Sequence, residues 1–400
     1  MSARSDERAE ILEGLNQPRK MISPKYFYDE RGSQLFDAIT HLPEYYPTET
    51  EFGIMHDNID EIADLIGPQA SLIEYGSGSS RKTRVLLEHL HELAVYVPVD
   101  ISEDHLITTA RKVGAEFPGL EVLPVVADFT QPFALPDPTV MPRRNVVYFP
   151  GSTIGNFTQA DAQELLGFMY DEAGADGAML IGVDLQKDPA IIERAYNDSA
   201  GVTAEFNLNM LEHLNREVGF DFDVEAFSHS AVYDPVGGRM VIELISSRDQ
   251  SVNTGDETIG IAAGEAILTE YSHKYTLEGF AGMAQQAGFA VRKVWTDADQ
   301  LFSVQYCVRA LLRVRVHELV GYRRALTEEE LLHLGFEKLA RVGLDGREPV
   351  FVDQDRLVRQ PFLPRLPGDV LVNTLAEVAG IRRIVETLGA FAEHHTLNRS

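Results

Sequence analysis

Ala70-Ser-Leu-Ile-Glu74-Tyr-Gly76-Ser-Gly-Ser-Ser80 is an apolar run that ends on an acid and breaks at once into a glycine-rich turn. Within the first third of the chain two further runs end the same way, Leu93-Ala-Val-Tyr-Val-Pro-Val-Asp100 and Val122-Leu-Pro-Val-Val-Ala-Asp128. Short apolar runs bounded by turn residues read as buried strands, and helical patterns from Arg81 and from about Ser102 separate them. Two more strands follow, Asn145-Val-Val-Tyr-Phe149 and Gly177-Ala-Met-Leu-Ile-Gly-Val-Asp184, with a helix from about Gln159 between them. This alternation predicts a parallel sheet covered on both faces, with ligands outside the carboxyl ends of its strands.

Outward from that region the pattern changes. Residues 1–60 read as short helices, with Ser33 and Thr48 as capping-type starts on either side of the aromatic loop Leu42-Pro-Glu-Tyr-Tyr-Pro47. Pro189 to Tyr196 and Thr203 to Val218 read as helices, the first with proline in its opening turn. Phe227 to Ser247, with a Pro235-Val-Gly-Gly turn, and Ile259 to Leu268 read as antiparallel strands. Tyr275 to Gly288 reads as a helix, and Ala290 to Asp297 with Phe302 to Val316 as a closing hairpin. The expected division is 61–195 plus 275–316 as one α/β domain, 1–60 plus 196–274 as a smaller α+β domain, and 317–400 as a mostly helical extension. Helices are expected there from Thr327 and over Asp369 to Ala392.

Four hundred residues that are 44% apolar support sizeable cores. A formal charge of −27 argues against nucleic acid as a partner, because phosphate binding needs basic patches. The tail from 317 is nearly balanced, with 11 Lys/Arg against 13 Asp/Glu. One cysteine, Cys307, excludes an internal disulfide framework and suits a reducing compartment. Neither a signal-type apolar segment nor a membrane-length apolar run is present, so a soluble cytoplasmic protein is expected. The histidine pairs His89/His91 and His394/His395 lack a third ligand at useful spacing, and no metal site is expected.

The chemistry is carried by the strand ends. A Gly-rich turn at Gly76 could be merely a tight strand-to-helix connection, but Asp100 can accept two ribose hydroxyls, and Asp128 with Phe129 can meet adenine. Lys82, on the first turn of the next helix, can approach a cofactor carboxylate. The arrangement suits S-adenosylmethionine better than a dinucleotide. After the fourth strand, Gly151-Ser-Thr-Ile-Gly-Asn156 lies where the transferred group would sit, or is simply an Asn-capped turn. In Thr269-Glu-Tyr-Ser-His-Lys-Tyr275, Glu270 and Ser272 share one face of an extended segment. They could read a ring with one N–H and one lone-pair nitrogen, as neutral imidazole presents, or form a polar solvent face.

Together with Glu74-Tyr-Gly-Ser-Gly-Ser-Ser-Arg-Lys-Thr83, three other stretches carry a resemblance: Tyr26-Phe-Tyr-Asp-Glu-Arg-Gly-Ser-Gln-Leu-Phe36, Leu42-Pro-Glu-Tyr-Tyr-Pro-Thr-Glu-Thr-Glu51 and Phe149-Pro-Gly-Ser-Thr-Ile-Gly-Asn-Phe157. From about residue 20 to 316 the chain resembles the histidine-specific N-alpha-methyltransferases of ergothioneine biosynthesis. The resemblance implies a Rossmann-like S-adenosylmethionine-dependent sheet and three methyl transfers to the α-amino group of L-histidine, giving hercynine and S-adenosylhomocysteine. It implies that Gly76, Lys82, Asp100, Asp128 and Phe129 hold the cofactor. The substrate carboxylate would meet Asn156 and Tyr196 with Tyr28 nearby, the Gly151 backbone would help place the amine, and the imidazole would meet Glu270 and Ser272 with Tyr46 closing the pocket. The tail lies beyond the usual family length and suggests a homo-oligomer formed through it. Two alternatives stay open: the same fold acting on another aromatic amino acid or a thiol-bearing histidine derivative, and a catalytically idle binding or assembly protein.

Overall fold

A computed structural model describes residues 3–77, 81–255 and 257–310, together with 351–353 and 356–358. Residues 1–310 form one compact unit and 311–400 a second. The first opens with helices α1 (Ala3–Leu15), α2 (Glu30–Thr40), α3 (Tyr46–Asp57) and α4 (Ile59–Ile66). The alternating part is β1 (Ala70–Tyr75), α5 (Arg81–His89), β2 (Val95–Asp100), α6 (Glu103–Glu116), β3 (Glu121–Val122), β4 (Val125–Val126), β5 (Arg144–Phe149), α7 (Gln159–Ala173) and β6 (Ala178–Asp184). Then come α8 (Pro189–Tyr196), α9 (Val202–His213), β7 (Phe227–Asp234), β8 (Arg239–Ser246), β9 (Gln250–Asn253), β10 (Thr258–Ile261) and β11 (Ala266–His273). The unit closes with α10 (Leu277–Gln286), β12 (Phe289–Thr296) and β13 (Phe302–Arg309).

Among the described residues the main sheet has eight strands, ordered β12-β13-β6-β5-β1-β2-β3, with β4 also on β2. The strands from β3 to β6 are parallel, and β13 and β12 add on antiparallel. The order reverses between β1 and β5, which puts a ligand crevice at their carboxyl ends. β1 and β6 are buried along their whole length because helices cover both faces. Apolar residues of α7 and α10 pack on one face, and those of α3, α4 and α5 on the other. A second sheet, β11-β8-β7, is antiparallel. β8 alternates buried and half-buried residues, as a strand with one covered face must. Its core is shared with α1, α2 and α9.

Several boundaries differ from the sequence expectations. The third strand splits into β3 and β4 around Leu123-Pro124, since proline cannot donate to the ladder. Helix α2 starts earlier than Ser33, capped by Asp29, whose carboxylate accepts the Gly32 N–H at 2.6 Å. α3 begins at Tyr46 with Pro47 in its first turn, so Thr48 is not its cap. The segment 259–268 divides between β10 and β11, which belong to different sheets. β13 ends at Arg309. In the tail, Phe351–Asp353 (β14) and Arg356–Val358 (β15) pair antiparallel. The helices expected from Thr327 and over 369–392 lie outside the described residues.

Glu74 also departs from expectation. It turns away from the ligand edge into the core, accepting from Thr83 Oγ1 at 2.7 Å and from the Tyr96 hydroxyl. Burial pushes its carboxyl up to about 7, against the pull of these two donors. A carboxyl raised on folding contributes stability that is complete below its unfolded value and lost as pH rises through its folded one. In chemical denaturation, Glu74→Gln should therefore gain stability relative to the parent between pH 5 and pH 8; a constant difference would contradict a buried, proton-binding Glu74.

Gly182, inside β6, leaves room for the buried carboxylate of Glu51: a Cβ there would stand 2.0 Å from Glu51 Oε1. Gly182→Ala should cost about 1–3 kcal/mol by overpacking. Gly167→Ala, on helix α7 with open space around its Cβ position, should be neutral or stabilising by about 0.5–1 kcal/mol. Thermal unfolding of the two variants gives the comparison, and equal effects would contradict the packing.

Candidate functional site

The carboxyl ends of β1, β2 and β4 carry the residues expected to face a nucleoside. β1 turns at Gly76, which takes φ +72°, and a Cβ there would stand 3.8 Å from the Phe129 ring. Phe129 stacks on Tyr75, with ring centroids 5.3 Å apart. Ser77 follows, fully buried, and its hydroxyl has no hydrogen-bond partner among the described residues. Buried hydroxyls are ordinarily satisfied, so this one fits a site completed by a ligand. Asp100 ends β2 and accepts the Ser102 N–H at 2.9 Å, while burial raises its carboxyl above the usual range. Asp128 Oδ1 accepts from the Thr130 N–H at 3.0 Å and from its hydroxyl at 2.6 Å. The cap role and the ligand role are thus compatible in both acids, each having a second carboxylate oxygen.

Beside this edge, Lys82 forms an ion pair with Glu51, and Glu51 also accepts the Gly151 N–H at 2.9 and 3.1 Å. Helix α3 therefore fastens the N-terminal region to the loop after β5. That loop runs through a 3₁₀ turn, Thr153–Asn156. Gly155 meets β11 there: a Cβ on it would lie 2.7 Å from the His273 carbonyl oxygen, and His273 Nδ1 lies 2.8 Å from Gly155 O. Burial lowers the His273 imidazole below its usual range, against the pull of the Gly155 carbonyl, so the neutral ring donates this bond. Asn156 is thereby brought to the strand that carries Glu270 and Ser272.

Between the two sheets lies a pocket lined by Tyr28, Phe36, Tyr45, Gly151, Asn156, Asp184, Tyr196, Phe206, Asn207, Glu270, Ser272 and Lys274. At its floor Asp184, 1% exposed, ends β6. Its carboxylate takes Lys274 Nζ at 2.7 Å, Lys187 Nζ at 2.5 Å and the Tyr46 hydroxyl at 2.8 and 3.0 Å. Burial alone would raise this carboxyl, but the two ammonium groups outweigh it and hold it below its usual range. Lys187 falls to about 8, because its burial outweighs the attraction of Asp184. Lys274 also donates to the Tyr196 and Ser272 hydroxyls, each at 2.8 Å. Removal from water pushes Glu270 up to about 7, against the pull of Lys274. Asn207 leaves its amide oxygen without a partner among the described residues.

The structure thus gathers Tyr28, Gly151, Asn156, Tyr196, Glu270 and Ser272 around one cavity. Tyr46 is the exception. Its hydroxyl donates to Asp184 and accepts from Lys187 at 2.7 Å, behind the cavity wall, while its neighbour Tyr45 lines the cavity. Asp184, Lys274 and Asn207 are additions that sequence reading missed. Lys274 sits two residues beyond Ser272 on the same face of an extended segment, a period-two signal that was available. Asp184 ends an apolar run as Asp100 does, so the strand-end signal was present there too, whereas Asn207 carries none. Cys307 is buried in β13 with its thiol pushed up to about 12, a core position. Among the described residues no group of three or more His, Cys, Asp or Glu is placed to hold a metal ion, and no helix is long and apolar enough to cross a membrane.

Replacing Gly155 by Ala should push β11 off the 3₁₀ turn and separate Asn156 from Ser272. The expected outcome is a loss of pocket-ligand affinity by tenfold or more, about 1.4 kcal/mol, in a protein whose thermal unfolding stays cooperative. Calorimetric titration checks it, and unchanged affinity would contradict the contact.

A family profile described as histidine-specific methyltransferase, S-adenosylmethionine-dependent, matches residues 7–309. The chain is 39% identical over 315 residues to the histidine N-alpha-methyltransferase of Mycolicibacterium smegmatis, covering 77% of this chain and 96% of that one. Identity to the protein of the same description from Mycobacterium tuberculosis is 39% over 297 residues, 72% of this chain and 91% of that one. Ergothioneine biosynthesis protein 1 of Neurospora crassa is 33% identical over 292 residues, 68% of this chain and 31% of that longer protein. The matched region ends where the first compact unit ends. This chain belongs to the histidine-specific, S-adenosylmethionine-dependent methyltransferases.

Proposed function

We propose that the chain methylates the α-amino nitrogen of L-histidine three times in succession, giving hercynine, in ergothioneine biosynthesis. The observation that carries this reading is that β11 brings Glu270 and Ser272 into the same cavity as Asn156 and Tyr196. An imidazole has two nitrogens to satisfy, and a carboxylate needs donors. The pocket offers two polar groups for each, and a buried group left unpaired by a wrong ligand penalises that ligand heavily.

S-adenosylmethionine, when bound, supplies the methyl group on its sulfonium sulfur. Gly76, Asp100, Asp128 and Phe129 would hold its adenosine, and Lys82 its carboxylate, at the strand ends. Tyr28 and the Gly151 backbone would place the substrate amine, Asn156 and Tyr196 its carboxylate, and Glu270 and Ser272 its ring. The transfer is an in-line displacement, so the residues contribute chiefly by alignment of the nitrogen lone pair. Each transfer starts from an amine that has lost one proton, and the forming N–C bond leaves the nitrogen cationic. Aromatic faces of Tyr28, Tyr45 and Phe36 around the cavity suit that cation. We further propose that 61–195 plus 275–316 bind cofactor, that 1–60 plus 196–274 bind substrate, and that 317–400 mediate self-association. The enzyme would work in the cytoplasm on a free amino acid.

Incubation with S-adenosylmethionine and a panel of L-histidine, L-tryptophan, L-tyrosine and 2-thiohistidine, read by mass spectrometry, tests the reading. Histidine alone should gain three methyl groups; failure to methylate it would contradict the proposal. Glu270→Ala should raise the KM for histidine by about tenfold to a hundredfold, the loss of one charged hydrogen bond, with S-adenosylhomocysteine affinity unchanged.

A further inference from the structure

The Tyr196 and Ser272 hydroxyls lie 2.7 Å apart, and each lies 2.8 Å from the Lys274 ammonium. The third N–H of Lys274 goes to Asp184 Oδ2 at 2.7 Å. An ammonium has three donors and no acceptor, so Lys274 occupies one lone pair on each hydroxyl oxygen. Burial holds the Tyr196 phenol well above its usual range, so it keeps its proton. The two hydroxyls therefore carry two protons, and one of these lies between them. A single O–H remains to be offered to a ligand.

Only two arrangements are possible. In one, Tyr196 donates to Ser272, and Ser272, with both lone pairs used, donates to a ring nitrogen. Tyr196 then meets the ligand with an oxygen lone pair, which repels a carboxylate. In the other, Ser272 donates to Tyr196, and Tyr196 donates to the carboxylate. Ser272 then has one lone pair left, which accepts a ring N–H. If Tyr196 meets the substrate carboxylate, as in the proposed function on which this inference rests, the second arrangement holds. The other ring nitrogen of a neutral imidazole then carries a lone pair toward Glu270, and a carboxylate cannot face it.

We infer that the pocket takes histidine with one additional proton, held between the ring and Glu270. That pair is then neutral overall, whichever of the two carries the proton. The groups acting on Glu270 suit this. Lys274 is its cation, and Tyr28, Tyr45 and Tyr196 face it as protonated phenols. Two lysines against Asp184 leave one positive charge at the cavity floor for the substrate carboxylate. Glu270 at about 7 is also close to the ordinary imidazole value of about 6.5, so the proton is nearly matched between its two sites.

The test is calorimetric titration of the full chain, saturated with S-adenosylhomocysteine, with Nα-trimethylhistidine, which has no amine proton to release. At pH 8, in buffers of different ionisation enthalpy, about one proton should be taken up per ligand. The association constant should fall about tenfold per pH unit above that. Glu270→Gln, whose amide can donate to the ring without titrating, should take up about one proton fewer than the parent and lose about one unit of slope, the share of Lys187, which falls to about 8, being common to both. Binding by the parent protein without proton uptake would overturn the inference and assign the donor role to Ser272. Absence of binding by both this ligand and L-histidine would instead remove the histidine reading itself. If Glu270→Gln does not fold, Lys187→Arg, whose charge does not titrate in this range, should keep the parent's uptake and slope; loss of both in that variant would overturn the inference.

Discussion

Asp184 is where three parts of the molecule meet. It ends β6 of the main sheet, and its backbone N–H is held by Ser152 Oγ at 2.9 Å from the loop after β5. Its carboxylate holds Tyr46 from α3, Lys187 before α8 and Lys274 just beyond β11. A buried carboxylate is costly unless its charge is compensated, and removal of one partner strands the others. Here the compensation comes from separate segments, so the charge can be buried only if those segments converge. The N-terminal helices, the main sheet and the second sheet are tied at one point, and the cavity is the space left above it.

The same knot reaches the ligand surface through Lys274. Tyr196 and Ser272 already share one hydrogen bond; by filling a further lone pair on each oxygen, the ammonium leaves the pair a single proton to give. Glu51 plays the corresponding part on the other flank, tying α3 to Lys82 and the Gly151 amide. The carboxyl-end edge of the main sheet and the cavity thus share the loop after β5 as a common wall. For a displacement whose barrier is governed by alignment, rigidity across that wall matters more than acid–base power.

Much of the main sheet was legible in the sequence because buried parallel strands are near-continuous apolar runs, and the runs at 70–75, 144–149 and 178–184 are unambiguous. α8 was readable to the residue from Pro189 in its opening turn. What escaped was decided by tertiary contacts. The third strand broke at Pro124, which the run of valines masked. The three strand-end acids looked equivalent, but strand alternation turns Glu74 into the core while Asp100 stays at the edge. Six expected substrate residues line one cavity; Tyr28, Gly151 and Asn156 lie in the quoted motifs, and Glu270 and Ser272 share one face of an extended segment. Tyr46 and Tyr45 are adjacent and chemically identical, so only the helix start at Tyr46 tells which ring faces the cavity. Asp184 gave no local sign of its partners, since Tyr46 and Lys274 lie far from it in sequence.

The claim on which the rest depends is that one cavity, between the two sheets and above Asp184, holds the amino acid beside the cofactor edge. A crystal structure of the chain with S-adenosylhomocysteine and L-histidine measures this most directly. The expected result has the imidazole between Glu270 and Ser272, the carboxylate on Asn156 and Tyr196, and the α-nitrogen facing the cofactor sulfur past Gly151. Histidine bound elsewhere, or with its ring and carboxylate exchanged, would contradict the account.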